Sequence, residues 1–273
     1  MPPRLLGLLL VLPALAVIVL LFVVPLAASV IGAFELEGGY GLSNFTKAFE
    51  LYTSDVIFTV LIVSLSTVLI GLFSVAIGGY LTLGENPRAV AILRWLYRWP
   101  MFIPFIVVGQ VLRTFLAKNG LMNNVLIGVG IITPLQAVSL LDWRGIVIAF
   151  VWKQTPFVTL LVAGAMASVD RGTIEAARNL GASRLRILIE ILVPQVATTV
   201  MVGLVLSFVT MMSVLSVPLM INAQSPTMIT ADIAFRINAY GDYGVANALG
   251  LISLVATACV AWFYLRQSMR ERS

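Results

Sequence analysis

The chain alternates long apolar runs with short segments that carry its charges and turn residues. As a helix, an uncharged apolar run of about 18 or more residues is long enough to cross the hydrocarbon core of a bilayer. Prolines interrupt two runs, Pro13 and Pro25 in the first and Pro100 and Pro104 in the third. The pattern predicts an all-α membrane protein with six transmembrane helices, at residues 8–30, 56–84, 95–116, 145–169, 196–220 and 243–265.

A further uncharged stretch, residues 119–141, is also long enough to cross a membrane. It carries a load of polar and turn-forming residues that backbone facing lipid does not tolerate. These residues are Asn119, Asn123, Asn124, Gly128, Gly130, Pro134 and Gln136. We therefore predict an external loop with a short interfacial helix. The first run exceeds the roughly 7 to 15 apolar residues of a signal peptide, so we expect it to remain as the first helix.

The distribution of Lys and Arg tests this count of spans, because these residues accumulate in short cytoplasmic loops. With both termini inside, the cytoplasmic set is Arg4, Arg88, Arg94, Arg98, Arg171, Arg178, Arg184, Arg186, Arg266, Arg270 and Arg272. The external set is only Lys47, Arg113, Lys118, Arg144 and Arg236. The asymmetry favours six spans with both termini in the cytoplasm. Making residues 119–141 a seventh span would move half of the arginines outside.

The composition agrees with a membrane protein and removes several other classes. Apolar residues make up 60% of the chain and charged residues only 11%, against roughly 25% charged in soluble domains. The net charge of +5 follows from the topology, and no basic domain for nucleic acid is present. The chain has no His, and its single cysteine, Cys259, lies in an apolar run. We therefore expect no metal site and no disulfide.

No catalytic motif is found in the sequence. A phosphate-binding loop of the form G-x-x-x-x-G-K-[ST] is missing, and so is the glycine fingerprint of a dinucleotide-binding fold. We expect no catalytic residues and no cofactor in this chain. Energy from ATP would have to come from another subunit.

One polar segment, EAARNLGASRLRILIEILVP at residues 175–194, stands between two long apolar runs. Its Glu-Ala-Ala, Gly and Ile-x-Val-Pro positions are Glu175, Ala176, Ala177, Gly181, Ile191, Val193 and Pro194. Helix propensity predicts a helix over 174–180, a left-handed stop at Gly181 and a second short helix over 184–192. The segment resembles the cytoplasmic signature loop in the permease subunits of binding-protein-dependent ABC importers.

The resemblance implies the type I ABC importer permease fold, with residues 1–273 as a single transmembrane domain and 170–195 as its coupling loop. The residues expected to contact the ATPase are Glu175, Ala176, Ala177, Gly181, Ala182, Arg184 and Pro194. The implied partners are two ATPase subunits that bind ATP and Mg²⁺, a second and non-identical permease, and an external solute-binding protein. The implied location is the plasma membrane of a bacterium or archaeon.

Two other classes compete with this interpretation. A secondary transporter would carry coupling-ion carboxylates in mid-membrane, and a membrane-embedded enzyme or assembly scaffold would carry a polar catalytic cluster. Neither feature is present: no Asp or Glu lies deep in a predicted span.

The solute class stays open at this level. The segments at 41–49 and 118–123 resemble elements common in these permeases. The segments at 113–114 and 153–157, and the spacing from Ser225 to Ala248, resemble the permeases of polyamine-type importers. The segment INAQSPTMIT, at 221–230, lacks the Gly-rich pattern usual in that group. Carbohydrate and glycerophosphodiester permeases share most of these features. We therefore expect a polyamine or another small polar organic solute, with a sugar or glycerophosphodiester as the alternative.

Polar residues within the spans are the candidates for the translocation path. Lys153, followed by Gln154, lies inside the fourth span, where an ammonium group costs about 3 kcal/mol on insertion scales. Lys153 either lines a cavity or braces the fold in a structural pair. In the fifth span Ser207, Thr210, Ser213 and Ser216 recur every three residues, a stripe that suits either a polar path or close helix packing.

Two charged groups receive structural interpretations. Arg88, Arg94 and Arg98 mark the inner membrane interface, where they could also reach an ATPase. Asp232 and Arg236, four residues apart, predict a surface ion pair on a short external helix.

Overall fold

The computed structural model describes residues 3–222 and 224–270. Of the arginines used for the topology, Arg272 and the side chains of Arg4 and Arg270 lie outside the described residues. A two-residue β1, Glu35–Leu36, pairs antiparallel with β2, Gly39–Tyr40. The helices are α1 Pro3–Ile18, α2 Val24–Phe34, α3 Ser43–Leu83, α4 Pro87–Leu96, α5 Phe105–Leu116, α6 Leu121–Gly128, α7 Trp143–Ala167, α8 Arg171–Asn179, α9 Arg184–Ile187, α10 Val193–Ser213, α11 Ser216–Ile221, α12 Ile229–Phe235 and α13 Tyr243–Arg270.

Within the described part of the chain, five helical segments are long and apolar enough to span a membrane, and a bent pair of segments could form a sixth span. The predicted fourth and sixth spans correspond to α7 and α13. The second differs, because α3 begins at Ser43 rather than at residue 56. Its 41 residues extend about 60 Å, twice the roughly 30 Å of the hydrocarbon core. The hydropathy pattern located the membrane part of α3 and missed its amphipathic extension.

The third span is broken, as its two prolines predict, but the bend is sharper than a kink. The segments Pro87–Phe102 and Phe105–Gly128 meet at 106°. Pro104 precedes α5 and has no N–H, so it cannot donate to the carbonyl of Pro100, which accepts at 3.3 Å from the N–H of Ile103 instead. Residues 119–141 contain only the short α6 and a 3₁₀ turn at Pro134–Gln136, which confirms that they form a loop with one short helix.

Two prolines in the apolar helices are accommodated by π turns. Val19–Val23 forms a π turn just before Pro25, and Leu188–Leu192 forms one just before Pro194. A proline ring in a regular helix clashes with the carbonyl four residues earlier. Widening the preceding turn moves that carbonyl away, and the helix then continues past the proline. The interruption that the sequence shows at Pro25 is therefore a local π bulge in the structure.

The fifth span ends earlier than predicted. α10 stops at Ser213, whereas the sequence predicted a helix to residue 220. In a continuous helix the carbonyl of Val214 would accept a hydrogen bond from the N–H of residue 218, but Pro218 has no N–H. The carbonyl of Val214 instead accepts a hydrogen bond from Thr230 Oγ1 at 2.9 Å. Ser216 therefore begins a separate helix, α11, and does not belong to the stripe on α10.

The chain divides into two compact units. Unit 1 is Met1–Ser54 with Asp232–Val255, and unit 2 is Asp55–Ala231 with Ala256–Ser273. In unit 1, Asn44 Nδ2 donates to the carbonyls of Ala33 (3.1 Å) and Glu35 (2.9 Å), and Ser29 Oγ donates to Asn247 Oδ1 (2.9 Å). These bonds connect the starts of α3 and α13 to the α2 region.

The predicted surface position of the Asp232–Arg236 pair in unit 1 is wrong, because Asp232 is buried. Asp232 is buried, with 7% of its surface exposed. Arg236 forms an ion pair with Asp242 at 3.5 Å, donates to Tyr52 Oη at 2.6 Å and stacks over the rings of Tyr52 and Tyr240. A π turn at Arg236–Tyr240 follows α12.

Unit 2 holds the main core, in which α7 packs against α10. Gly203 of α10 makes this packing close, because a Cβ there would lie 3.2 Å from a methyl of Val158. Phe150, Val158 and Val162 of α7 are fully buried. The external end of this unit is closed by Asp55, whose carboxylate accepts from the Thr227 N–H at 2.6 Å and from Ser225 Oγ at 3.1 Å.

Candidate functional site

The predicted coupling segment forms a well-capped helix. Asp170 is the N-cap of α8, where its Oδ2 accepts from the Thr173 N–H at 2.9 Å and from Thr173 Oγ1 at 3.1 Å. The hydrogen bond from the Thr173 N–H lowers the pKa of the Asp170 carboxyl. The sequence analysis missed this cap, although an Asp three residues before a Thr at a helix start is a recognisable signal.

The helix ends at a glycine stop, as predicted. Gly181 has φ +81, in the left-handed region. The N–H of Ala182 donates to the carbonyl of Ala177 at 3.0 Å, and the N–H of Gly181 donates to the carbonyl of Arg178 at 2.9 Å. These two bonds form a Schellman motif, which satisfies the last carbonyls of the helix.

One face of α8 is buried and the other is free. Ile174 is buried and Ala177 is half-buried, whereas Glu175 and Ala176 are exposed. Leu180, at the helix end, leaves 89% of its surface exposed. Glu175, Ala176 and Leu180 are thus accessible from outside the chain.

Two contacts hold the coupling segment against the end of α3. Arg178 Nη2 donates to the carbonyl of Leu83 at 3.3 Å, and Arg184 forms an ion pair with Glu85. Both arginines are exposed, so each contact contributes modestly, roughly 0–1 kcal/mol. The sequence analysis did not single out Glu85, since no local pattern connects it to a loop almost a hundred residues away.

The second half of the segment differs from the prediction. Instead of a separate short helix over 184–192, α9 covers Arg184–Ile187 and runs through the π turn at Leu188–Leu192 into α10. Ser183 caps α9, accepting from the Arg186 N–H at 3.3 Å. Arg184–Ser213 is thus one continuous helical rod of 30 residues. Pro194 lies within this rod, half a turn after the π turn.

Lys153 contacts backbone carbonyls at the break in the third span. Its Nζ donates to the carbonyls of Pro100 at 3.0 Å and Met101 at 2.8 Å, and it lies 5.5 Å from the ring centre of Phe105. The sequence analysis expected a cavity or a carboxylate as the partner. The bent backbone supplies the acceptors instead, because a helix break leaves carbonyls without donors.

The other pathway candidates occupy two environments. Gln154 is buried at 6% exposure and Ser207 is fully buried. Thr210 and Ser213 are exposed, and their hydroxyls donate to the carbonyls of Leu206 (2.7 Å) and Thr210 (2.8 Å). The hydroxyls of Thr155, Thr159 and Ser207 are buried without a hydrogen-bond partner among the described residues.

The described residues contain no cluster of three Cys, Asp or Glu side chains that could hold a metal ion. The candidate site has two parts. One is the capped helix α8, and the other is the set of polar side chains on α7 and α10.

Comparison with known proteins gives a family match over most of the chain. The model of the family described as "Binding-protein-dependent transport system inner membrane component" matches residues 74–273. This range includes the entire segment from Asp170 to Pro194.

Curated relatives resemble the chain over its length. The sulfoquinovosyl glycerol transport system permease protein SmoG of Agrobacterium fabrum is 28% identical, covering 96% of this chain and 90% of the relative. The trehalose/maltose transport system permease protein MalF of Thermococcus litoralis is 27% identical, covering 96% of this chain and 92% of the relative. The spermidine/putrescine transport system permease protein PotB of Escherichia coli is 28% identical, covering 61% of this chain and 60% of the relative.

A solved structure has the same fold. It is a bacterial alginate ABC transporter in complex with an alginate pentasaccharide-bound periplasmic protein. The match has a TM-score of 0.82 at 21% identity and covers 97% of this chain and 94% of the other.

Proposed function

The chain belongs to the family of inner membrane components of binding-protein-dependent transport systems and is the permease subunit of an ABC importer; from this premise we propose that α8 and the turn at Gly181 couple it to a separate ATPase. Permeases of this family pair with ATPase subunits, a second permease and a periplasmic binding protein. In the proposed arrangement ATP and Mg²⁺ bind to the ATPase subunits, and this chain supplies the docking surface.

The observation that carries the proposal is the exposure of Glu175 and Ala176 on a helix that is fixed at both ends. The Asp170 cap holds its start and the Schellman motif at Gly181 holds its end. A rigid helix with an exposed carboxylate and an exposed Leu180 presents both a charge and an apolar contact to a partner. Such a pre-organised surface loses little entropy on docking.

The helical rod at Arg184–Ser213 explains how movement of the loop would reach the membrane. A displacement of α9 by the ATPase is carried along the rod because its backbone hydrogen bonds continue through the π turn. On the other side, α7 ends only a few residues before α8 begins. Closure of the ATPases would therefore move the spans on both sides of the coupling loop together, as a rigid-body change of access requires.

Reversing the charge of Glu175 tests the coupling surface. We expect Glu175→Lys to retain assembly and basal ATPase activity and to lose most solute-stimulated transport, because an exposed carboxylate contributes little to the fold and much to a charged contact. Transport into proteoliposomes is measured beside ATP hydrolysis. Glu50→Lys, an equal charge change at an exposed site outside the coupling segment, is the control. Normal transport by Glu175→Lys would contradict the coupling role.

For the translocation path, the buried polar groups of α7 and α10 are the best-supported candidates. Gly203 lies against Val158, and Ser207 follows one turn further along α10. Because consecutive spans run in opposite directions, we place Ser207 at the level of Gln154. Their amide and hydroxyl groups would hydrogen-bond a polar solute during its passage. In this proposal Lys153 supports the path by holding the broken third span.

Within this function we favour a carbohydrate-type solute over a polyamine. The sugar-transport relatives match 96% of the chain, and the polyamine relative matches 61%. The membrane-spanning runs carry no Asp or Glu, which a cationic polyamine would need, and they carry amide and hydroxyl groups, which suit a polyhydroxylated solute.

The solute proposal is tested with the permease, its ATPase and its binding protein reconstituted together. We expect glycosides such as trehalose or a glycerol glycoside to stimulate ATP hydrolysis severalfold and spermidine to have no effect. Stimulation by spermidine alone would overturn the carbohydrate proposal and leave the coupling proposal standing.

A further inference from the structure

Two clefts meet in unit 2 beside α4. The first, which we call the basic cleft, has a volume of about 540 Å³ and lies between the ends of α3 and α7 and the start of α8. The second, the apolar cleft, has a volume of about 520 Å³ and lies between α3, α4 and α7. Tyr97 lines both clefts, so they are neighbours.

The basic cleft has an excess of positive charge. Its charged lining residues are Arg94, Arg98, Arg171, Arg178 and Glu175. Arg98 Nε donates to Tyr97 Oη at 3.2 Å and Arg178 to the Leu83 carbonyl, so both acceptors are neutral. No ion pair joins any of these four arginines to a carboxylate in the described part of the chain. Unneutralised guanidinium groups that converge on one cleft favour a phosphate or another anion.

The apolar cleft offers almost only hydrocarbon and aromatic surface. Phe73 and Ile77 of α3 form one wall, and Ile148 and Val151 of α7 form the other. Phe73 is half exposed, at 50%, so this surface faces outward from unit 2. A groove of this kind at membrane depth suits an acyl chain.

The dimensions fit one leaflet of a bilayer. Along α3 the two clefts run from Thr82 to Leu69, about 20 Å at 1.5 Å per residue. The distance from the headgroups to the bilayer centre is also roughly 20 Å. Trp95 and Trp99 stack edge to face at 4.8 Å beside the basic cleft, and both are more than half exposed. Tryptophans in this position mark the membrane interface.

We propose that the two clefts form one binding site for an anionic phospholipid. The phosphate of the headgroup contacts Arg94 and Arg98, and an acyl chain lies in the apolar cleft past Tyr97. Since Glu175 also lines the basic cleft, the bound lipid is next to the coupling surface. A lipid bound in this site would therefore contribute to the surface that we propose contacts the ATPase.

Native mass spectrometry of the purified permease complex tests this site, with phosphatidylglycerol and phosphatidylethanolamine of matched chain length as probes. We expect the complex to retain phosphatidylglycerol in preference to phosphatidylethanolamine. Arg94→Gln with Arg98→Gln should weaken phosphatidylglycerol binding about 25-fold, or about fivefold for each arginine near the surface. Arg88→Gln, on the same helix and outside both clefts, should leave binding unchanged.

Two further arms separate a lipid from a free phosphate compound. Ile148→Trp fills the apolar cleft and should reduce phosphatidylglycerol retention while the complex stays assembled, as checked by size-exclusion chromatography. Soluble glycerol phosphate should displace the lipid poorly. Equal binding of the two lipids, unchanged binding in the double arginine variant, or full displacement by glycerol phosphate would each overturn the proposal.

Discussion

At the scale of single residues, Lys153 shows how a charge inside a span is stabilised without a carboxylate. Its ammonium group contacts two carbonyls at the break before α5 and the face of Phe105. A hydrogen bond from a charged group contributes about 1.5–3 kcal/mol, which is comparable with the roughly 3 kcal/mol cost of the charge in a span. The bracing alternative from the sequence therefore has a specific geometry, and a pathway role for Lys153 stays a prediction.

Removing the ammonium group should destabilise the broken span. We expect Lys153→Ala to lower the stability of the complex by about 1–3 kcal/mol, because the carbonyl of Met101 loses its ammonium donor and that of Pro100 keeps only the bond from the Ile103 N–H. Lys153→Arg should retain most of the stability of the complex. Thermal unfolding of the purified complex is measured, with Lys118→Ala at an exposed position as the control. An unchanged melting temperature together with altered solute selectivity would favour the pathway role instead.

A second residue-scale prediction concerns Gly181, whose φ of +81 only glycine adopts freely. A Cβ at this position meets no atom within 4 Å, so any penalty comes from the backbone alone. Gly181→Val should cost about 1–2 kcal/mol and reduce the solute transported per ATP hydrolysed. Gly181→Asn should be nearly normal, since Asn tolerates the left-handed region. Equal coupling in the two variants would show that the turn is not needed.

At the scale of elements, α8 depends on its cap because it has only nine residues. Isolated helices of this length are marginal, so local hydrogen bonds decide whether the helix stays formed. Asp170 supplies one of these bonds, and its pKa is lowered by the Thr173 N–H. A lowered carboxyl pKa in the folded state means that the cap stabilises α8 above the unfolded pKa, about 4, and is lost as the pH falls through the folded pKa.

Substitution of Asp170 tests the cap directly. Asp170→Ala should destabilise α8 locally and accelerate hydrogen exchange of the Thr173 and Ile174 amides about fivefold at neutral pH. Asp170→Asn keeps an accepting oxygen and should exchange nearly as slowly as the unsubstituted chain. This protection should be constant between pH 6 and 8, because the carboxyl stays ionised there. Rapid exchange in Asp170→Asn would mean that charge, not the cap bond, holds the helix.

At the scale of the whole molecule, six spans with both termini inside place the coupling segment and the external loop on opposite sides. In a background with Cys259→Ser, an impermeant thiol reagent should label Cys introduced at Ser43, Asn124 or Gln224 in intact cells. Cys at Arg88 or Asn179 should react only after permeabilisation. All five positions are exposed in the structure, so burial does not explain a difference. Labelling of Asn179→Cys from outside would invert the topology.

Hydropathy and charge determined the number of spans and the short helix in the loop at 119–141. They did so because the bilayer requires long uncharged runs, and that requirement acts on each segment separately. The glycine stop at Gly181 could also be predicted from the sequence, since it reflects the conformational preference of one residue. The family was indicated by the resemblance of the segment from Glu175 to Pro194 to a known signature loop, and the family match confirms it.

The tertiary structure alone decided where distant groups meet. The acceptors of Lys153 lie about 50 residues away, and Glu85 reaches Arg184 across almost a hundred. The carbonyl of Val214, freed by Pro218, accepts from Thr230, which ends the fifth span before residue 220. The continuous rod at Arg184–Ser213 depends on a π turn that widens to admit Pro194. A helix break or a proline leaves a backbone polar group without its helical partner, and that group must find another partner. Packing in three dimensions decides which partner it finds, and local sequence patterns do not encode this packing.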